Sequence, residues 1–337
     1  MKILRFILFP FAIIYDIVTT VRNFFFDVGF LKQTSFKIPV IVVGNLSVGG
    51  TGKTPQIEYL IRLLKDDFKT AVLSRGYKRK TEGFVLLNNS HSAEDVGDEP
   101  LQYFKKFKNI NVAVDANRVA GITNLISNNS PEVVLLDDAY QHRKVKGSFY
   151  ILLTKYSDLF TDDFLLPTGN LRESRSGAKR ADVVLVTKCP DDLSEVSKNE
   201  VLRKLKKYQK KVLFTTISYD EKTSGNSQVS VNELSDYEIV LITGIANPTP
   251  LLNFLKDKNI SYKHLKYPDH HHFTTKEIDL INQAYSSLKS SKKMILTTEK
   301  DYVRLESRLE EVSYLGIQTS FLESNEEFNS MIINHIK

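Results

Sequence analysis

The sequence predicts an α/β protein: a doubly wound, mostly parallel sheet followed by a second, smaller α/β unit. Three observations carry this. Runs at Val40–Val43, Thr70–Leu73, Asn111–Val114, Val133–Leu136, Tyr150–Leu153 and Val183–Val186 are rich in Val, Ile and Leu, the pattern of strands buried on both faces. Amphipathic stretches such as Pro55–Leu64 and Arg118–Ile126 lie between them, the order expected of a sheet covered by helices on both sides. After a polar stretch the alternation resumes, with a strand at Ile239–Ile242, helices over 249–257 and 274–289, and a strand at Met294–Thr297.

The first strand runs into VGNLSVGGTGKTP, residues 43–55. Gly49, Gly50, Thr51 and Gly52 allow backbone N–H groups to close around an anion. Lys53 reaches the outer phosphates, Thr54 offers a hydroxyl to magnesium, and the following helix points its positive end at the phosphate. The chain is therefore expected to be P-loop NTPase-like and to bind a nucleotide, ATP, with Mg2+. Ser47 stands where the usual pattern has its first glycine. A P-loop needs an acidic residue at a neighbouring strand end, and PEVVLLDDAYQH supplies Asp137 and Asp138; which of the two touches the metal directly stays open.

Composition bounds the rest. The 337 residues are 42% hydrophobic and 26% charged, ordinary for a globular chain. A net charge of +6 favours an anionic partner, but no nucleic-acid recognition motif appears. Cys189, the single cysteine, forms no internal disulfide. The N-terminal segment is Phe-, Ile- and Leu-rich, yet its uninterrupted apolar run, Phe6 to Tyr15, is ten residues against the roughly 20 of a spanning helix. No small-residue cleavage site follows it. A helix packed on the protein's own core is one reading. The favoured one is a helix in a membrane interface, with Lys2, Arg5, Arg22, Lys32 and Lys37 toward lipid phosphates. The expected division is 1–35 for this helix, 36–215 for the P-loop core, 216–236 for a linker or exposed hairpin, and 237–337 for the smaller domain.

Among P-loop classes, a deviant membrane-surface ATPase switch would carry lysine where Val48 stands, and a GTPase would carry aspartate where Pro190 follows Thr187-Lys188. A kinase for a small or lipid acceptor needs further charged clusters at the same sheet edge. SRGYKRK (74–80), VGDEP (96–100), DANR (115–118), LPTGNLRES (166–174) and YPDHHHF (267–273) supply them. VGDEP reads as a rigid turn presenting two carboxylates. Successive side chains of His270, His271 and His272 diverge in an extended loop, so zinc is not expected there.

GNLSVGGTGKTP, SRGY, GDEP, LLDDAYQH, LPTGNLRES, ADVVLVTK, TGIANP, PDHHHF and TTEKD, in this order, resemble the tetraacyldisaccharide 4′-kinases, the lipid A 4′-kinases of Gram-negative bacteria. The resemblance covers about residues 1–303. Ala139 replaces a usual Gly, and Asn170 and Ser174 stand where Pro is expected. It implies transfer of the ATP γ-phosphoryl group to the 4′-hydroxyl of a tetraacylated glucosamine disaccharide 1-phosphate, a lipid A precursor. It also implies work on the cytoplasmic face of the bacterial inner membrane. Asp98 then matches the family's general base, with His270 oriented against it, and Lys53 completes the catalytic set. Thr54, Asp137 and Asp138 would hold magnesium; Glu99 would assist the metal or structure the turn. Arg75, Tyr77, Arg118, Asn170 and Arg172 would bind the disaccharide and its phosphate, Arg being suited to bidentate contact. The alternative is a membrane-surface P-loop ATPase or GTPase switch without a lipid acceptor.

Overall fold

The structure, a computed structural model, describes residues 5–337; Lys2 lies outside the described residues. Helix α1 (Phe9–Asp27) precedes β1 (Val40–Asn45), α2 (Lys53–Leu64), β2 (Thr70–Ser74), β3 (Val85–Leu86), α3 (Ala93–Val96), α4 (Asp98–Lys106), β4 (Asn111–Val114), α5 (Arg118–Asn129), β5 (Val133–Asp137), β6 (Phe149–Lys155) and β7 (Val183–Thr187). Then come α6 (Glu195–Leu205), β8 (Lys211–Tyr219), β9 (Ser224–Gly225), β10 (Glu238–Thr243), α7 (Thr249–Asp257), β11 (Tyr262–Lys266), α8 (Thr275–Ser286), β12 (Lys293–Thr298), α9 (Glu299–Leu305), β13 (Val312–Leu315), β14 (Ile317–Phe321) and α10 (Glu326–Ile336).

Nine strands form the first sheet in the order β14-β8-β7-β6-β1-β5-β2-β4-β3. All pairings are parallel except those of edge strands β3 and β14. β1 lies between β5 and β6, and all six of its residues are buried, so the P-loop rises from the middle of the sheet. The apolar side chains of α2, Ile57, Leu60, Ile61 and Leu64, are fully buried against one face. Ile122 and Leu125 of α5 cover the other face.

The second sheet has five strands, β11-β10-β12-β13-β9, parallel except at β9. The expected boundaries need correction. Residues 216–219 are no linker: β8 continues to Tyr219. Val231 and Leu234, inside the expected hairpin, are buried in the core of the second unit. The chain after Gly316 belongs with the first unit, because β14 pairs antiparallel with β8 (Ile317 opposite Tyr219). Phe328 and Ile332 of α10 are fully buried in the core under α2. Two paired antiparallel strands thus lead out to the second unit and back.

Pro10 sits in the first turn of α1, where proline lacks no needed donor. The helix therefore runs uninterrupted for 19 residues, long and apolar enough to cross a membrane by length and composition. This corrects the ten-residue reading: the charged side chains of Asp16 and Arg22, which bound or follow the apolar run, do not interrupt the helix. One stripe docks on the protein. Ala12, Thr19 and Phe26 are buried. Tyr15 Oη donates to the Arg172 carbonyl (2.8 Å), Arg22 to the Gln141 carbonyl (2.7 Å), Asn23 to Glu173 (3.0 Å), and Arg143 donates to Asp27 (2.7 Å). The remaining faces expose Phe11, Ile14, Ile17, Val18, Val21 and Phe24. Phe30, beyond the helix, is also exposed. The reading that packs this helix into the core does not hold for most of its apolar surface.

Candidate functional site

The cradle comes first. Gly49 (φ +100°) and Gly52 (φ +88°) occupy backbone conformations that side chains resist, and Lys53 opens α2 directly after Gly52. The loop is fastened on two sides. Thr187 Oγ1 donates to the Thr51 carbonyl (2.7 Å) and Asn45 Nδ2 to Thr51 Oγ1 (2.8 Å). The 166–174 segment lies along it as a short ribbon, with Val48 N–H donating to the Asn170 carbonyl and Arg172 N–H to the Leu46 carbonyl. Ser47 pairs with Leu171 in this ribbon, and no positive φ is needed there, which explains how the chain dispenses with glycine at that position. At Gly44 a Cβ would come within 2.6 Å of Tyr140 Cβ, so its absence lets β1 approach the turn after β5.

That turn carries the two carboxylates in different states. Asp138 lies 3.5 Å from Lys53 Nζ and accepts from Arg172 Nη1 at 3.0 and 3.1 Å. Burial pushes its carboxyl up, but Lys53 and Arg172 outweigh that and hold it below its ordinary value. Asp137 is buried, with Oδ1 lacking any partner and Oδ2 only 3.4 Å from Ser74 Oγ and Tyr103 Oη. Burial, and then the charge of Asp138, raise it to about 7. The Thr54 hydroxyl lies beside the same Tyr103, so Thr54 and Asp137 converge. An orphaned carboxylate oxygen in a site of oxygen donors alone fits a hard divalent cation, which would relieve the cost of ionising Asp137. The half-buried Glu99 is near enough for its charge to add to the rise of Asp137.

Asp98 is not in a turn. It opens the nine-residue α4, with Pro100 accommodated in the first helical turn and Gly97 (φ +93°) separating α4 from α3; this corrects the rigid-turn reading. At 3% exposure its carboxylate meets three donors from the second unit. His270 Nδ1 lies 2.8 Å from Oδ2, while Arg304 Nε and Nη2 donate to Oδ1 and Oδ2 at 2.7 and 2.5 Å. Burial pushes Asp98 up, and the hydrogen bonds from His270 and Arg304 together bring it below its ordinary value. Lys300 Nζ lies 3.0 Å from His270 Nε2. An ammonium only donates, so Nε2 accepts and Nδ1 carries the hydrogen toward Asp98. His271 turns to Glu277 (2.9 Å) and His272 toward Glu94 (3.7 Å): three adjacent histidines take three separate partners.

The expected acceptor residues spread around this edge. Tyr77 is exposed and its ring lies 5.6 Å from that of His270. Arg75 is exposed at the end of β2. Arg118 is buried, donates to the Asp115 carbonyl (2.7 Å), leaves Nε without a partner, and is lowered by burial to about 10 despite Asp137 and Asp138. Arg172 spends its guanidinium on Asp138, and the Asn170 side chain accepts from Arg5 (3.1 Å). Several neighbours were assigned no role from the sequence. His142 is held neutral, lowered to about 4 by burial and by the cations Arg118, Lys144, Arg22 and Arg75. Lys155 and Lys188 bring their ammonium groups to Gly49 and Gly50. Lys300 sits in the TTEKD motif without having been given a role, and Arg304 lies three residues beyond that motif; their spacing of four on one helix is the available signal, since it puts both on one face.

A central P-loop, a carboxylate pair at the next strand and an Asp–His contact supplied across two units define a P-loop protein of the kinase class. Residues 4–337 match the family model for tetraacyldisaccharide-1-P 4′-kinase. The tetraacyldisaccharide 4′-kinase of Flavobacterium johnsoniae is 54% identical over 100% of this chain and 98% of that protein. That of Bacteroides thetaiotaomicron is 45% identical over 98% of this chain and 93% of its own. The crystal structure of LpxK from Aquifex aeolicus in complex with ATP has a TM-score of 0.80 and 31% identity, covering 99% of this chain and 100% of that one. The chain belongs to the tetraacyldisaccharide 4′-kinase family, the kinases of lipid A biosynthesis.

Proposed function

We propose that the chain binds ATP in the cradle of Gly49, Gly50, Thr51, Gly52, Lys53 and Thr54 and passes its γ-phosphoryl group to the 4′-hydroxyl of a tetraacyldisaccharide 1-phosphate. The observation that carries the residue assignment is the 2.8 Å contact between Asp98 and His270 at the edge that also holds the P-loop. Asp98 takes the hydroxyl proton while the sugar oxygen bonds to the γ-phosphorus; the bond to the β-phosphate bridging oxygen breaks and its electron pair leaves with ADP. A loose phosphoryl transition state asks for positioning more than for a strong base. His270, held as the Nδ1–H form, orients Asp98. Lys53 and the loop N–H groups hold the phosphates in line and spread the transferred charge. Thr54 and Asp137 would hold Mg2+, with Asp138 and Glu99 behind them, and the ion would supply charge neutralisation when bound.

Arg75, Arg118 and Tyr77, whose ring lies 5.6 Å from that of His270, receive the disaccharide and its phosphate; Asn170 and Arg172 line the ribbon beside it. An acceptor carrying several acyl chains stays at a bilayer, and α1 meets it there, on the cytoplasmic face of the inner membrane. The docked stripe of α1 against the 141–173 region supports a helix lying along the interface rather than crossing it. In the test, Asp98→Ala is assayed with the acceptor lipid and for ATP binding. Transfer falls by about 10² or more while ATP binding persists; transfer at the wild-type rate refutes the assignment.

A further inference from the structure

The second unit does more than supply His270. Arg304 lies at the far end of the short helix α9, and its guanidinium is almost wholly enclosed. Nε and Nη2 grip both oxygens of Asp98 in a fork, and Nη1 donates to the His271 carbonyl (2.7 Å), so every nitrogen of the group has a fixed partner. The position of α9 is itself determined. Thr298 caps it by accepting from Asp301 N–H. Glu299 at its start accepts from Lys106 (2.8 Å), the last residue of α4, and Lys106 also donates to the buried Glu58 of the P-loop helix α2 (2.7 Å). Helices α4 and α9 are therefore pinned at both ends, by Asp98–Arg304 and by Lys106–Glu299. The P-loop helix is tied to the second of these pins.

A carboxylate oxygen offers two lone pairs. On Asp98, Oδ2 accepts from His270 and from Arg304, and Oδ1 accepts from Arg304 alone. One lone pair remains, on Oδ1. We propose that Arg304 is a positioning residue for the phosphoryl transfer: its forked guanidinium, brought from the second unit, fixes the plane of the Asp98 carboxylate and reserves Oδ1 for the acceptor hydroxyl. This rests on Asp98 as the group that receives the hydroxyl proton. Lys300, one turn earlier on the same helix, meets the ring of His270 at Nε2 through a single contact, so α9 touches both members of the pair. A planar fork imposes an orientation that a point charge does not.

The test is a double-mutant cycle on the full chain, with acceptor lipid and saturating ATP. Arg304→Gln lowers kcat by about 30- to 100-fold, the loss expected for a reacting group displaced by about 1 Å, with KM for ATP and acceptor within about threefold of wild type. Arg304→Lys keeps the charge without the fork and recovers only part of kcat. In the Asp98→Asn background, Arg304→Gln costs nothing more, because a residue acting through Asp98 has nothing left to position. Additive losses in the double variant, with the Asp98→Asn loss intact, overturn the role of Arg304 alone. Wild-type transfer by Asp98→Asn removes the Asp98 reading and this inference with it. Should Arg304→Gln not fold, Arg304→Lys carries the same cycle, and a wild-type kcat for it overturns the proposal.

Discussion

Replacing Phe11, Ile14 and Val18 together by Ser isolates what α1 does at a membrane. The three lie within one face of the helix, the first and last seven residues apart, to one side of the stripe that holds Ala12, Thr19 and Phe26. Their exposures are 61, 59 and 59%, so the change leaves the packed side of the helix intact. Full burial of such side chains is worth ~1.5–3 kcal/mol each. With about three-fifths of each available to lipid, the triple variant gives up ~3–5 kcal/mol of membrane affinity, a factor of roughly a hundred to several thousand in partitioning. Co-sedimentation with anionic vesicles reads this directly, and thermal unfolding in buffer checks that the fold is unchanged. Activity falls on acceptor embedded in bilayers. Unchanged sedimentation refutes the reasoning, because the exposed apolar face would then have no lipid to meet.

Asp137 makes stability depend on pH. Its carboxyl is raised in the fold to about 7 from the ordinary aspartate value of about 3.9, so its contribution to the unliganded protein is fully present below about pH 4 and is lost as pH rises through 7. Asp137→Asn removes that slope in a comparison of melting temperature against pH; parallel curves for the two proteins contradict the assignment. Phe328→Ala, in the C-terminal helix, costs about 3–5 kcal/mol in denaturant unfolding of the P-loop unit, since its side chain is fully enclosed in the core under α2. A loss under about 1 kcal/mol would detach α10 from that core.

The central strands were legible because parallel strands covered on both faces must be apolar throughout. β1, β2, β4, β5, β6 and β7 follow the Val/Ile/Leu runs to within two residues at either end. β8 and β14 were not legible. Lys211–Tyr219 and Ile317–Phe321 are half-buried, with Thr, Ser and Gln among their residues, and their pairing joins segments about a hundred residues apart, which no local pattern encodes. The same non-local pairing hides the return of the chain to the first unit. In the site, Asp98 and His270 came from motifs. The helix that begins at Asp98 did not, because Gly97 before it and Pro100 just after it read as a turn unless the proline falls within a first helical turn. Arg304 has no signature beyond its spacing from Lys300 of TTEKD, and only the docking of the two units gives either a target.

Central to the account is that the phosphate leaving ATP ends on a sugar hydroxyl. Purified protein, Mg2+ and γ-labelled ATP are incubated with tetraacyldisaccharide 1-phosphate in a mixed micelle, and the lipid and aqueous fractions are counted. The account predicts label in the lipid fraction, at the 4′ position. Label appearing only as inorganic phosphate, at the same rate with or without the lipid, contradicts it and leaves a nucleotide-hydrolysing switch.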